Sequence, residues 1–95
     1  MSAPQLPPIE LDVVRRGQAA ANLLGSDTFI NALREVRADA METWEKSNPL
    51  DAEGRENCYR ISLALRLIEA KLASWRDSAM VKQHNDKLRR AEAAQ

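Results

Sequence analysis

Between Cys58 and Trp75 the apolar residues Cys58, Ile61, Leu65, Ile68, Leu72 and Trp75 recur at steps of three, four, three, four and three. On an α-helix that spacing brings all six to one side. Leu63 and Leu67 lie beside the stripe and widen it, and neither Gly nor Pro interrupts the run. A stripe this wide cannot face water and calls for a helix on each flank. No segment alternates apolar and polar residues as a strand would, and no internal repeat is present. The expected class is all-α.

The flanking helices can be placed from their punctuation. Met1 to Ile9 holds Pro4, Pro7 and Pro8 and no charge, which predicts an extended arm. Leu6 and Ile9 are its candidate anchors on a neighbouring subunit. A first helix is expected from about Glu10 to Leu24, with Val14, Gly17, Ala21 and Leu24 on one face. Gly17, with Ala20 and Ala21, lets another helix come close, although glycine costs a helix about 1 kcal/mol against alanine. Gly25 follows, where a helix end favours a left-handed residue.

Ser26 or Asp27 caps a second helix running from about Thr28 to Ser47. Its seam is Phe29, Leu33, Val36, Ala40 and Trp44, with Ile30, Arg37 and Met41 beside it. Asn48-Pro49-Leu50-Asp51 makes the turn, and Asp51 can accept from the free N–H groups that open the next helix. The third helix starts near Ala52 and runs to at least Met80, or on to Arg90. Pivoting at Pro49 sets Ala40 opposite Cys58 and Leu33 opposite Leu65. Phe29 then comes near Leu72, and Trp75 lies past the second helix beside Leu24 and Gly25. The architecture is an antiparallel helical hairpin with a shorter N-terminal helix packed on it and an extended Pro-rich N-terminal arm. In ranges, 1–9 is the arm, 10–80 a three-helix domain, and 81–95 a helical or frayed basic tail.

Lys and Arg together number 14 and so do Asp and Glu, which argues against a broad basic face for nucleic acid. One cysteine cannot form an internal disulfide, and a reducing compartment is the natural home. No run of about 18 apolar residues is present to span a membrane, and no basic-then-apolar leader opens the sequence. The expected location is the cytoplasm.

Catalytic signatures are missing from the sequence. His84 and Cys58 are the sole residues of their types, too few for a zinc site. Cys58 lies on the apolar stripe and reads as a small hydrophobe. Gly17, Gly25 and Gly54 are scattered and form no phosphate loop. The acidic pairs of the second helix read as a solvated face. No catalytic residue, cofactor or metal is expected, and the chain is read as not being an enzyme. Gln18 to Ser26 has the small residues and glycine turn of half a helix-turn-helix. The positions that motif must bury in its next helix are, however, Asn31 and Arg34. Arg15, Arg16, Lys87, Arg89 and Arg90 are the cations that could touch phosphates.

A broader pattern runs from Arg16-Gly17 through Ala21-Asn22-Leu23-Leu24 and Phe29. It continues to Trp44, the turn Asp51-Ala52-Glu53-Gly54-Arg55-Glu56 and the leucine-rich helix up to Trp75. This block, about two thirds of the chain, resembles a group of short proteins of unassigned activity encoded by tailed bacteriophages and prophages, often near head and packaging genes. The resemblance implies a viral origin and a role in the virion or its assembly, in the host cytoplasm or incorporated in the particle. It transfers no functional residue. The function expected is a non-catalytic structural or assembly protein acting by helix-mediated oligomerisation or partner binding. Its partner would be itself or another phage protein. A small terminase-like nucleic-acid-binding packaging or regulatory protein is the alternative, and a host-directed inhibitor a third class. The candidate partner interface is Leu6, Ile9, Leu63, Leu67, Trp75, Met80 and Leu88.

Overall fold

The computed structural model describes residues 9–94. It is all-α, with helices α1 (Ile9–Leu24), α2 (Asp27–Lys46) and α3 (Ala52–Ala93), and no strand among the described residues. The expected arm, with Leu6, lies outside the described residues. Ile9 already belongs to α1, and its side chain is likewise outside the description. The basic tail is helical as far as Ala93, so α3 has 42 residues and a length of about 63 Å.

Local signals set the ends of the elements. Ser26 is the N-cap of α2: its backbone is extended and its side chain accepts from the Phe29 N–H at 3.3 Å. Asp27 follows as the first helical residue, an acidic group at the positive end of the dipole. Gly25 departs from expectation, because no glycine among the described residues has positive φ. The Ser26 N–H donates to the Leu23 carbonyl at 3.0 Å, and Ser26 leaves directly into the next helix. A link of two residues therefore needs no left-handed step.

At the second link the Asp51 carboxylate accepts from the Gly54 N–H at 3.0 Å. A Cβ on Gly54 would overlap that carboxylate, so the absence of a side chain lets the cap close. Asn48 accepts from the Leu50 N–H at 2.9 Å, and the Asp51 N–H donates to the Asn48 carbonyl at 2.8 Å.

The chain divides into two compact units. One is Leu23–Lys71, which holds α2 and the first half of α3. Contacts there step outward from the turn on both sides: Arg55 meets Ser47 and Trp44, Ala40 and Cys58 line the same grooves, and Arg37 meets Glu69. That is the pattern of antiparallel helices. Leu33, Ala40, Cys58 and Leu65 are its buried apolar residues.

The other unit joins residues up to Asn22 with those from Leu72 onward. Here α1 meets the second half of α3 through Gly17, Ala20, Leu72 and Ala79, all buried. A Cβ on Gly17 would overlap the Ala79 side chain and come within 2.6 Å of the Trp75 carbonyl oxygen. The helices cross as closely as backbones allow, which is the role expected of Gly17. Ala20 serves it too. Ala21 does not: it is exposed, because it lies a further 100° round the helix from Ala20.

The apolar stripe of α3 is therefore split. Cys58, Leu65, Leu72 and Ala79 are buried, every seventh residue, while Ile61 and Ile68 between them stay 39% and 45% exposed. The seam of α2 is split likewise, with Leu33 and Ala40 buried but Val36 and Trp44 exposed. One neighbouring helix covers a narrow arc, and in a heptad pattern that arc takes one position fully and leaves the other at its edge.

Candidate partner interface

The first heptad position on each helix of the Leu23–Lys71 unit is the buried one: Leu33 and Ala40 on α2, Cys58 and Leu65 on α3. Residues three and four places further on fall on opposite flanks of the helix pair. The flank four places on is bridged. The Arg55 guanidinium lies 4.1 Å from the Trp44 ring centroid and donates to the Ser47 hydroxyl at 3.2 Å. Ser47 in turn donates from Oγ to the Trp44 carbonyl at 2.6 Å. Further along, Arg37 donates to Glu69 at 3.1 Å, with both side chains partly exposed.

These contacts give a physical meaning to the turn and the upstream Trp44 singled out in the sequence. Asp51 caps, Gly54 makes room for the cap, and Arg55 staples the two helix ends together. The motif builds a corner.

Beside the staple lies an open apolar groove of about 340 Å³, lined by Ala40, Met41, Trp44, Cys58, Tyr59, Ser62, Leu63 and Arg66. The flank three places on has a second groove of similar size, lined by Val36, Asp39, Ala40, Thr43, Gly54, Asn57, Cys58 and Ile61. Ala40 and Cys58 form the shared floor. No ion pair or ring contact is found across this second flank among the described residues.

The expected interface residues are thus distributed. Leu63 lines the first groove, and Leu67, one helical turn on, is exposed. In the other unit Trp75 is half-buried beneath Arg16, whose guanidinium carbon is 4.6 Å from its ring centroid. Met80 shares an open cavity of about 590 Å³ with Val14, Gln83, His84, Asp86, Lys87 and Arg90. Leu88 is exposed. Sequence reasoning assigned Val36 and Ile61 to the core and left out Tyr59; an apolar stripe alone does not tell which of its residues a neighbouring helix covers.

Of the candidate phosphate contacts, Arg15 is exposed and Arg16 covers Trp75. Lys87 and Arg90 border the cavity around His84. Arg89 pairs with Asp86 at 3.3 Å, and Lys82 pairs with the same carboxylate at 3.2 Å. Among the described residues no group of three His, Cys, Asp or Glu is placed to hold a metal ion, and no helix is long and apolar enough to cross a membrane.

No protein-family model, curated protein or solved structure matches the chain.

Proposed function

We propose that this chain is a non-catalytic assembly protein of a tailed bacteriophage, acting by burying helix faces against copies of itself or against another phage protein. The architecture belonging to this reading is the antiparallel hairpin with the shorter N-terminal helix packed on it. The observation that carries the reading is an imbalance of burial. Seven apolar side chains are buried among the described residues, none larger than leucine. Meanwhile Val36, Met41, Trp44, Tyr59, Ile61, Leu67 and Ile68 are exposed within a single unit. Open apolar grooves of this kind mark interaction sites, and Trp, Tyr and Met are the residue types that interfaces favour. The resemblance to short phage proteins near head and packaging genes supplies the setting: the host cytoplasm or the particle itself.

The nucleic-acid alternative has less support. The protein is neutral overall, and Asp86 holds both Lys82 and Arg89 in the basic part of α3.

The test is co-sedimentation of the tagged chain with phage particles and head intermediates from infected cells. Association that survives nuclease and high salt is expected. Association that vanishes with nuclease, or that falls steeply with salt, transfers the role to nucleic-acid binding. Capture of an identified host protein in place of phage components transfers it to host inhibition.

A further inference from the structure

We propose that the groove lined by Trp44, Tyr59, Leu63 and Arg66 receives one amphipathic helix of a different protein, which seats apolar side chains between α2 and α3 and brings an Asp or Glu to Arg66. The docking rests on the reading of the chain as a helix-face binder and gives the partner its chemistry.

The linings decide between the two grooves, which share the floor of Ala40 and Cys58. The groove on the Val36 flank has no aromatic side chain, and its charged residue is Asp39. The groove on the bridged flank brings together Trp44, Tyr59 and Arg66. Trp, Tyr and Arg are the residue types that carry most of the binding energy at interfaces. One wall is also held before any partner arrives, because Arg55 lies against the Trp44 ring and donates to Ser47. A wall fixed in advance lowers the ordering entropy that binding costs.

Charge defines the partner. Arg66 is the one charged residue in the lining, and among the described residues its guanidinium has no ion pair, hydrogen bond or ring contact. Neighbouring charges are already engaged: Arg37 with Glu69, Glu42 with Lys46, and Glu56 with Arg60. Arg34 and Glu45 lie within about 40° of Met41 round α2. They are exposed, outside the lining and of opposite sign. The groove thus presents one uncompensated cation beside an apolar floor, which a carboxylate on an apolar helix face complements. An arginine fork takes a carboxylate through two parallel hydrogen bonds. A second copy of the same groove has no carboxylate to offer, since none lines it.

The shape suits a helix. The groove follows the furrow between two antiparallel helices, and its volume of about 340 Å³ takes a few side chains. An amphipathic helix fills such a furrow with anchors at i and i+3 or i+4.

A random helical-peptide library selected on the full chain supplies the probe. Recovered peptides are expected to carry apolar residues one turn apart with an Asp or Glu on the same face. Bound to Trp75→Phe, where Trp44 is the sole tryptophan, they should shift its emission. Arg66→Glu should weaken binding about tenfold or more, and replacing the peptide's acidic residue by Lys should restore it on that variant. Tyr59→Ala should weaken binding as well. Lys71→Glu changes the net charge equally outside the groove and should leave affinity within about twofold. Circular dichroism checks that each variant keeps its helix content. A selection that yields no binder, or binders without acidic residues, overturns the proposal. So does binding that ignores Arg66→Glu, or binding lost only with Asn57→Lys, which blocks the other groove. A dimer in sedimentation equilibrium that Arg66→Glu converts to single chains gives the groove to a second copy and overturns it too. An Arg66→Glu chain that still co-sediments with head intermediates overturns docking in this groove while leaving the assembly role in place. Peptide binding as described, with no association of the chain with particles, supports the groove and removes the assembly role.

Discussion

The α1 crossing and the α2 crossing solve the same problem in opposite ways. Where α1 meets α3, Gly17, Ala20 and Ala79 lie in the contact with a single leucine, Leu72, and the backbones nearly touch. Where α2 meets α3, Leu33 and Leu65 are buried and the helix edges are tied by long side chains, Arg37 to Glu69 and Arg55 to Trp44. The first contact gains dispersion by proximity and admits no added atom. The second gains transfer free energy from larger side chains and leaves grooves on either side. A close crossing of small residues has little to lose by truncation and much to lose by enlargement. A leucine seam has the reverse sensitivity.

Substitutions can break this contrast or sharpen it. The largest effect is expected at Leu65, which is 7% exposed: Leu65→Ala should destabilise by about 2–5 kcal/mol in denaturant titration. Gly17→Ala comes next and has a diagnostic sign. At an open helical site it would stabilise by about 1 kcal/mol through propensity. Here the new methyl meets Ala79 and the Trp75 backbone, and a net loss of about 1–3 kcal/mol is expected. A gain in Tm would show that the crossing is looser than described.

Arg55→Ala removes the stack on Trp44 and the hydrogen bond to Ser47 and should cost about 1 kcal/mol. Its removal should also shift the Trp44 emission. The smallest effect belongs to Arg37–Glu69. A double-mutant cycle should return about 0.2–1 kcal/mol and should shrink as salt is added, since both side chains are partly exposed. A coupling well above that range, indifferent to salt, would mean that the pair is shielded from solvent.

Residues whose role is local were readable in the chain. Ser26 and Asp51 cap because a short polar side chain before a helix has N–H groups within reach. Gly17 was readable as a point of close approach because glycine is otherwise costly in mid-helix. Its counterpart Ala79 carried no such mark, as alanine suits any helix position. The seam was legible as a stripe but not as two classes of residue. Ile61 and Leu65 are equally apolar, and which of them a neighbour covers depends on how many helices surround α3, a property of the assembled unit that periodicity does not encode. The Arg55–Trp44 staple was hidden for a related reason: both residues stand in the pattern noted around the turn, but only the turn geometry stacks one on the other.

The placement of the two tryptophans has a practical consequence. Trp44 belongs to the unit formed by residues 23–71 and Trp75 to the other, each beneath an arginine. Trp44→Phe and Trp75→Phe therefore leave a single fluorophore reporting on one unit at a time. The helix that threads both is unbroken for 42 residues, and helix growth is cooperative once begun. Melting curves from the two variants, referred to circular dichroism, would show whether an uninterrupted helix is enough to make two separately packed contacts melt as one transition.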